Sequence, residues 1–514
     1  MSSFTGLNIV VKGLYAQQRA LDVTGHNIAN VNTEGYARQR AVMETAKPMQ
    51  VLGGRGMLGS GVEVQQIQRI RNTFLDVKFW GENTVLGEWS SKSQFLTEIE
   101  MVFNEPSDAG LNSVINSFFS ALQDLSNGER ASDLTVRETV RQTAIAFTNC
   151  LNDMAARFEK IQTDANFAVE TKVNEINSYA QQISELNRQI MRYELDGSNA
   201  NDLRDRRDLL VDKLSSIVDV KTFEDSDGRF RVSIGGRLLV NHVSYNQLVL
   251  VERGDTYNGK ATQVKNPDVD AGGLYEILWD DGVDFNPKGG ELRGLLDIRD
   301  SDGSPGTFKG VPYYMRQLNH FAKTFAEAIN EIHKTAYDLM GDYTEAGGCQ
   351  ILFFTHDVTA DSYTTDPNGI RTAITTDITA KNITISKEIF EDLNHIAVAA
   401  SWDTIPGDAS KGLEMAGLRH QNVFPVYGTP EDFTKSLIAA LGVDGQEAVR
   451  MRDNQEILVN QTNMLRTSTS GVSIDEEMAN MVKFQHSYNA AARLITAMDE
   501  MIDMLVNRMG LVGR

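Results

Sequence analysis

The sequence predicts a mainly α protein with a β-rich insertion: terminal helices forming a coiled coil, a long-helix bundle domain and an outer β-rich domain. Three observations predict it. Leu7, Leu14, Leu21 and Ile28 recur at intervals of seven near the N-terminus, and Ile474, Met481, Tyr488, Ile495, Ile502 and Met509 do so near the C-terminus. Over residues 133–195 the apolar positions keep a helical three-and-four spacing. Over residues 219–401 the signals turn to short extended runs punctuated by Asp and Gly.

A seven-residue repeat holds one seam of a helix toward a partner, so the two ends are built to pair with each other or with copies of the chain. Phe484, Ala491, Met498 and Leu505 form a second apolar line at the C-terminus, with Glu477 its one polar member. The first helix is expected over residues 4–30 and stops at Asn30, Asn32 and Gly35, residue types that favour turns and left-handed backbone. Residues 42–70 read as short extended segments around clustered glycines. Residues 86–218 read as helical, with breaks near 104–110, 127–132 and 196–200. An unbroken helix over most of 133–195 would reach ~90 Å at ~1.5 Å per residue, a rod-like dimension.

Hairpin strands are expected at 220–223, 230–234 and 238–240, and further strands at 248–251, 275–279 and 383–385. Residues 312–340 return to a helix, with Leu318, Phe321, Phe325, Ala328, Ile329 and Ile332 on one face. From Pro430 the chain is helical to the end, with a stop and restart near Ser470 and Gly471. Ser473 with Glu476 three residues on fits a capping box, which starts the last helix at Ile474. The order of elements divides the chain into 1–34 with 471–514, 35–218 with 402–470, and 219–401. In the isolated chain, residues before about 30 and after about 470 are expected to be largely mobile.

A net charge of −21 opposes nucleic-acid and anionic-membrane partners, which need clustered Lys and Arg. No stretch approaches the ~20 apolar residues of a membrane span, and no basic segment followed by an apolar block opens the chain. Cys150 and Cys349 are too few for a disulfide framework. Gly54 to Gly59 spells G-x-G-x-x-G without the preceding strand and following helix that a dinucleotide site requires, and reads as a hairpin loop. Acidic turns at Asp225, Asp280 and Asp300 lack the spacing of a calcium loop. The eight histidines are scattered. No catalytic, cofactor or metal residue is proposed, and the chain reads as a non-enzyme.

Two segments carry a family resemblance. Ala29-Asn30-Val31-Asn32-Thr33-Glu34-Gly35-Tyr36 resembles the A-N-x-N-T-x-G-Y signature of the axial proteins of the bacterial flagellum, the rod, hook and hook-associated proteins. The tail from Ser470 to Met478, continued by Phe484-Gln485, Tyr488, Ala490, Ala492-Arg493 and Ile495, resembles the ending of those members that join hook to filament. Glu34 stands where that family usually has proline, and Ala37 where it usually has serine. Gly289 to Asp297 adds a weaker likeness.

The resemblance implies a structural adaptor, outside the cell, exported without a cleaved signal through the flagellar type III channel. It implies a homo-oligomeric ring at the hook tip, with hook protein on one side and a second junction protein (hook-associated protein 3) on the other. An export chaperone would bind the C-terminal helix. The assembly surface would be Leu7, Leu14, Leu21, Ile28, Asn30, Asn32, Gly35, Tyr36, Ile474, Met481, Phe484, Tyr488, Ile495, Met498, Ile502, Leu505 and Met509. Two alternatives stay open at this level: a hook or distal-rod subunit, and an exported enzyme carried on a flagellar scaffold.

Overall fold

A computed structural model describes residues 2–50, 57–103, 110–263, 266, 268–341, 347–366 and 370–504. The chain opens with α1 (Ser2–Ala29), followed by β1 (Gln39–Thr45), β2 (Met49–Gln50), β3 (Met57–Leu58) and β4 (Val62–Arg69). β1 pairs antiparallel with β4, and β2 with β3. Of the Gly54–Gly59 stretch expected to be a hairpin loop, residues 54–56 lie outside the described residues and Met57–Leu58 form β3.

The helical body follows as α2 (Thr73–Phe103), α3 (Leu111–Leu125), α4 (Leu134–Tyr193) and α5 (Asn201–Ile217). α4 is one uninterrupted helix of 60 residues. Asp133 starts it by accepting from the Thr135 amide at 2.8 Å. Its buried line runs through Val140, Phe147, Leu151, Phe158, Val169, Ile176 and Ile183, the spacing that the sequence shows. α2 begins 13 residues before the expected position, at Thr73 rather than 86. Before residue 86 it buries only Asp76, Trp80 and Thr84, so apolar periodicity does not reveal its start.

Strands β5 (Val220–Glu224), β6 (Phe230–Ile234), β7 (Arg237–Asn241) and β8 (Ser244–Tyr245) form an antiparallel meander. β9 (Leu248–Glu252), β10 (Thr256–Tyr257), β11 (Lys260–Ala261) and β12 (Tyr275–Trp279) follow, with β9 pairing β12 and β10 pairing β11. The strands lie along α4: Asn177 bonds both the N–H and C=O of Leu248, and Asn166 both the N–H of Tyr275 and the C=O of Gly273. Then come α6 (Glu291–Asp300), α7 (Val311–His333), β13 (Phe354–Thr355), β14 (Tyr363–Thr365), β15 (Arg371–Ala373), β16 (Thr384–Ile385), α8 (Lys387–Glu391), α9 (Ser410–Gly417), α10 (Pro430–Ser470) and α11 (Ile474–Asp503).

α7 sits inside the bundle. Phe118, Phe147, Phe321, Phe325, Phe353 and Phe354 form one aromatic core, with Phe147 and Phe325 centroids 4.7 Å apart. Among the described residues one core has members on both sides of 218 and of 401, and α6 and α7 pack on α4 as the strands do. α7 also ends at His333, short of the expected 340. Beyond it the backbone turns to pair elsewhere: Ala336 accepts from Cys349, and Tyr337 donates to Ala399.

Candidate assembly interface

α1 and α11 pack against each other antiparallel. Gly6 near the start of α1 faces Met498 near the end of α11, and Asn27 near the end of α1 meets Glu477 in the first turn of α11. Within the segments expected to be mobile, Ser2–Ala29 and Ile474–Asp503 are helices paired within one chain.

The seam differs from the expected one. The fully buried line of α1 is Ala16, Ala20, Val23, Thr24 and Asn27, whereas Leu7, Leu14, Leu21 and Ile28 are half-buried. At ~100° per residue the two lines are turned by roughly 125° about the helix axis. Small side chains let α1 lie close to its neighbours, and the larger leucines are displaced to the flank. On α11, Met481, Phe484, Tyr488, Ile495, Met498 and Ile502 are half-buried, but Ile474 is 50% exposed. Leu505 and Met509 lie outside the described residues. Met478 and Val482 are also half exposed, at 53% and 51%, so the helix pair retains apolar surface that no part of the described chain covers.

Glu477, the polar exception in the heptad, is the one side chain of α11 that is fully buried among the described residues. Its carboxylate accepts from Asn27 Nδ2 at 3.0 Å and from Arg38 Nε at 2.7 Å. Asn27 in turn bonds the backbone of Gln39 both ways, donating from Nδ2 to its oxygen at 2.9 Å and accepting on Oδ1 from its N–H at 3.0 Å. Tyr36 Oη donates to the same Oδ1 at 2.8 Å. Burial, followed by the charges of Asp202, Asp205 and Glu477, raises the Tyr36 phenol and keeps it a neutral donor. Burial lowers the Arg38 guanidinium, but the bonds and charges of Glu476 and Glu477 outweigh it and raise it overall.

The signature loop supplies this joint. Asn30 donates from Nδ2 to the His26 oxygen and accepts from Thr33, which turns the chain out of α1. Gly35 has φ +78°, and a Cβ there would stand 3.0 Å from Leu209. Asn32 is exposed. The expected capping box at Ser473 is not made: the helix does begin at Ile474, but the Ser473 side chain forms no cap bond and Glu476 turns to Arg38 Nη1 at 2.7 Å. A capping box does form at Thr429 and Asp432, where α10 starts. Asn27, Arg38 and Glu477 were not singled out as site residues, since none is apolar or part of a catalytic motif. A polar residue on a heptad line was the available signal.

An ionic cluster ties the joint to the body. Arg69 donates to Asp205 at 2.6 Å and Asp208 at 2.9 Å, Arg71 to Asp208 and Asp76, and Arg466 of α10 to Asp76 and Asp212. Arg71, Arg207 and Arg69 outweigh burial and hold Asp208 low, whereas burial prevails at Asp205 and Asp212 and raises both.

In the β-rich region, a cleft of about 330 Å³ is lined by Arg253, Lys260, Glu276, Asp284, Arg299 and Asp300. Both of its aspartates are paired: Asp300 with Arg253 and Arg299, and Asp284 with Lys260. Among the described residues no group of three or more His, Cys, Asp and Glu is placed to hold a metal ion. Among the described residues no helix is long and apolar enough to cross a membrane.

Over its full length the chain is 34% identical to the flagellar hook-associated protein 1 of Bacillus subtilis, covering 100% of both chains. The chain belongs to the flagellar hook-associated protein 1 family. The proteins of that name from Salmonella typhimurium and Escherichia coli are 26% and 25% identical over 98% of this chain and 99% of theirs. The family model of the flagellar hook-associated protein FlgK helical domain matches residues 96–348. Models of the flagella basal body rod protein and of the basal body rod FlgEFG protein C-terminal match 7–36 and 462–509. A structure of the flagellar hook junction protein FlgK from Burkholderia pseudomallei shares the fold, with a TM-score of 0.58 at 15% identity, over 76% of this chain and 100% of that one. A member of this family is a component of the bacterial flagellum. The two rod-type matches lie at the ends, where the helix pair and the joint lie.

Proposed function

We propose that the protein is a structural adaptor of the flagellum that joins hook to filament by self-assembly of its terminal helices. The observation that carries this reading is the apolar surface left on the α1–α11 pair: Leu7, Leu14, Leu21 and Ile28 on one helix, and Ile474, Met478 and Val482 on the other. Apolar faces of this kind are covered on association. The remaining expected interface residues, from Asn30 to Tyr36 and from Met481 to Ile502, shape the pair that is presented. The division into terminal pair, helical rod and β-rich outer part belongs to the same proposal. So do a ring of copies, hook protein and a second junction protein as neighbours, an export chaperone on α11, release through the flagellar export channel, and a role without catalysis. Deleting the gene tests the proposal: hooks lacking filaments, with flagellin shed into the medium, are expected, and normal filaments overturn it.

A further inference from the structure

α10 and α11 are successive helices broken at residues 471–473, and this break sets the direction in which the terminal pair leaves the body. Arg38 grips both sides of it. Its backbone N–H donates to the oxygen of Ser470, the last residue of α10, at 2.8 Å. Its guanidinium donates to Glu476 and Glu477 in the first turn of α11, each at 2.7 Å. The second chain connection between body and pair, the loop leaving α1, also passes through Arg38. Both connections therefore converge on one residue. The Asn27 bond to Glu477 and the packing of the two helices hold α1 and α11 together as a unit, while the Asn27 bonds to Gln39 anchor the end of α1 beside Arg38.

We propose that Arg38 is a positioning residue, the pin of a hinge at 471–473 that fixes the angle between α10 and α11 and so the tilt at which the terminal pair meets neighbouring copies. The hinge stands on geometry alone, while its role in tilt rests on the assembly reading above. Two charge-assisted bonds from a planar guanidinium fix an orientation that a single ammonium cannot. The acidic first turn of α11 thereby serves the hinge rather than the helix cap.

The test uses the full-length chain, spin-labelled at Met464→Cys on α10 and Leu494→Cys on α11, both exposed positions, with Cys150→Ala to remove the half-buried native thiol. Pulsed electron-spin distances should give one narrow distribution. Arg38→Gln should make it about twofold wider, and Arg38→Lys should fall between, since hinge freedom is set by the lost bidentate grip. Arg40→Gln, at the exposed neighbouring position, should leave it unchanged. An Arg38→Gln distribution with the parent's centre and width overturns the hinge, and if that variant unfolds by circular dichroism, Glu477→Gln decides by the same criterion. If the distribution widens but Arg38→Gln cells build filaments like the parent, the hinge stands and its role in tilt is overturned. The gene deletion reads the adaptor role independently of both.

Discussion

Asn27→Leu separates local from tertiary reasoning by sign. Leucine is the better helix former, and on propensity alone α1 gains up to about 0.5 kcal/mol. The tertiary structure predicts a loss. The asparagine satisfies both the N–H and the C=O of Gln39, a residue 8% exposed, and leucine leaves these two groups buried without partners. Each orphaned group costs about 1–3 kcal/mol, so the net change after the propensity gain is a loss of about 1.5–5.5 kcal/mol. Tyr36 retains His26 at 3.0 Å and Glu477 retains Arg38, so these add little. The cost falls on the joint between α1, β1 and α11, and the α4 core is untouched. Hydrogen exchange read by mass spectrometry on peptides of β1 and the last turns of α1 should accelerate at least about 10-fold and up to about 8,000-fold, at ~1.4 kcal/mol per decade. Peptides of α4 are the internal control. Unchanged or slower exchange in β1 would refute the reasoning.

Burial brings the His333 imidazole down to about 4, and it is held neutral with Nδ1–H donating to Ile351 and Nε2 accepting from Ala397. Because the unfolded chain protonates near 6.5, this stability is complete above about 6.5 and lost as pH falls toward 4, about 3 kcal/mol in all. Urea midpoints at pH 7 and pH 4.5 should therefore drop further for the parent than for His333→Gln, and equal drops contradict it. Gly35→Ala places a Cβ at positive φ against Leu209 and should cost about 1–2 kcal/mol, seen as a lower thermal midpoint. Met478→Gln with Val482→Gln should leave unfolding within about 0.5 kcal/mol of the parent, because both side chains are half exposed, while filament assembly in complemented cells is lost. Intact assembly would remove that face from the proposed interface.

Much of the fold is legible in the sequence because it is local. α4 has an uninterrupted apolar period and an aspartate cap, and the β5–β6 hairpin turns where Asp225 accepts from the amides of Asp227 and Arg229. The start of α2 was hidden because two of the three side chains it buries before residue 86, Asp76 and Thr84, are polar, and Asp76 is paired with a partner far along the chain, Arg466 at 3.1 Å. The joint was illegible for the same reason. Its parts are ordinary polar residues until the fold brings them together.

The sequence by itself determined that the ends are helices with apolar repeats, that a break separates the last two helices, and that the signature loop turns the chain after α1. Period and turn chemistry act over a few residues, and no partner is needed to read them. Only the tertiary structure decided which line of each end helix lies inside. Helix packing at close range buries the small Ala16 and Ala20 rather than the larger leucines, and it buries the charge of Glu477 because Asn27, 450 residues earlier, and Arg38 satisfy it.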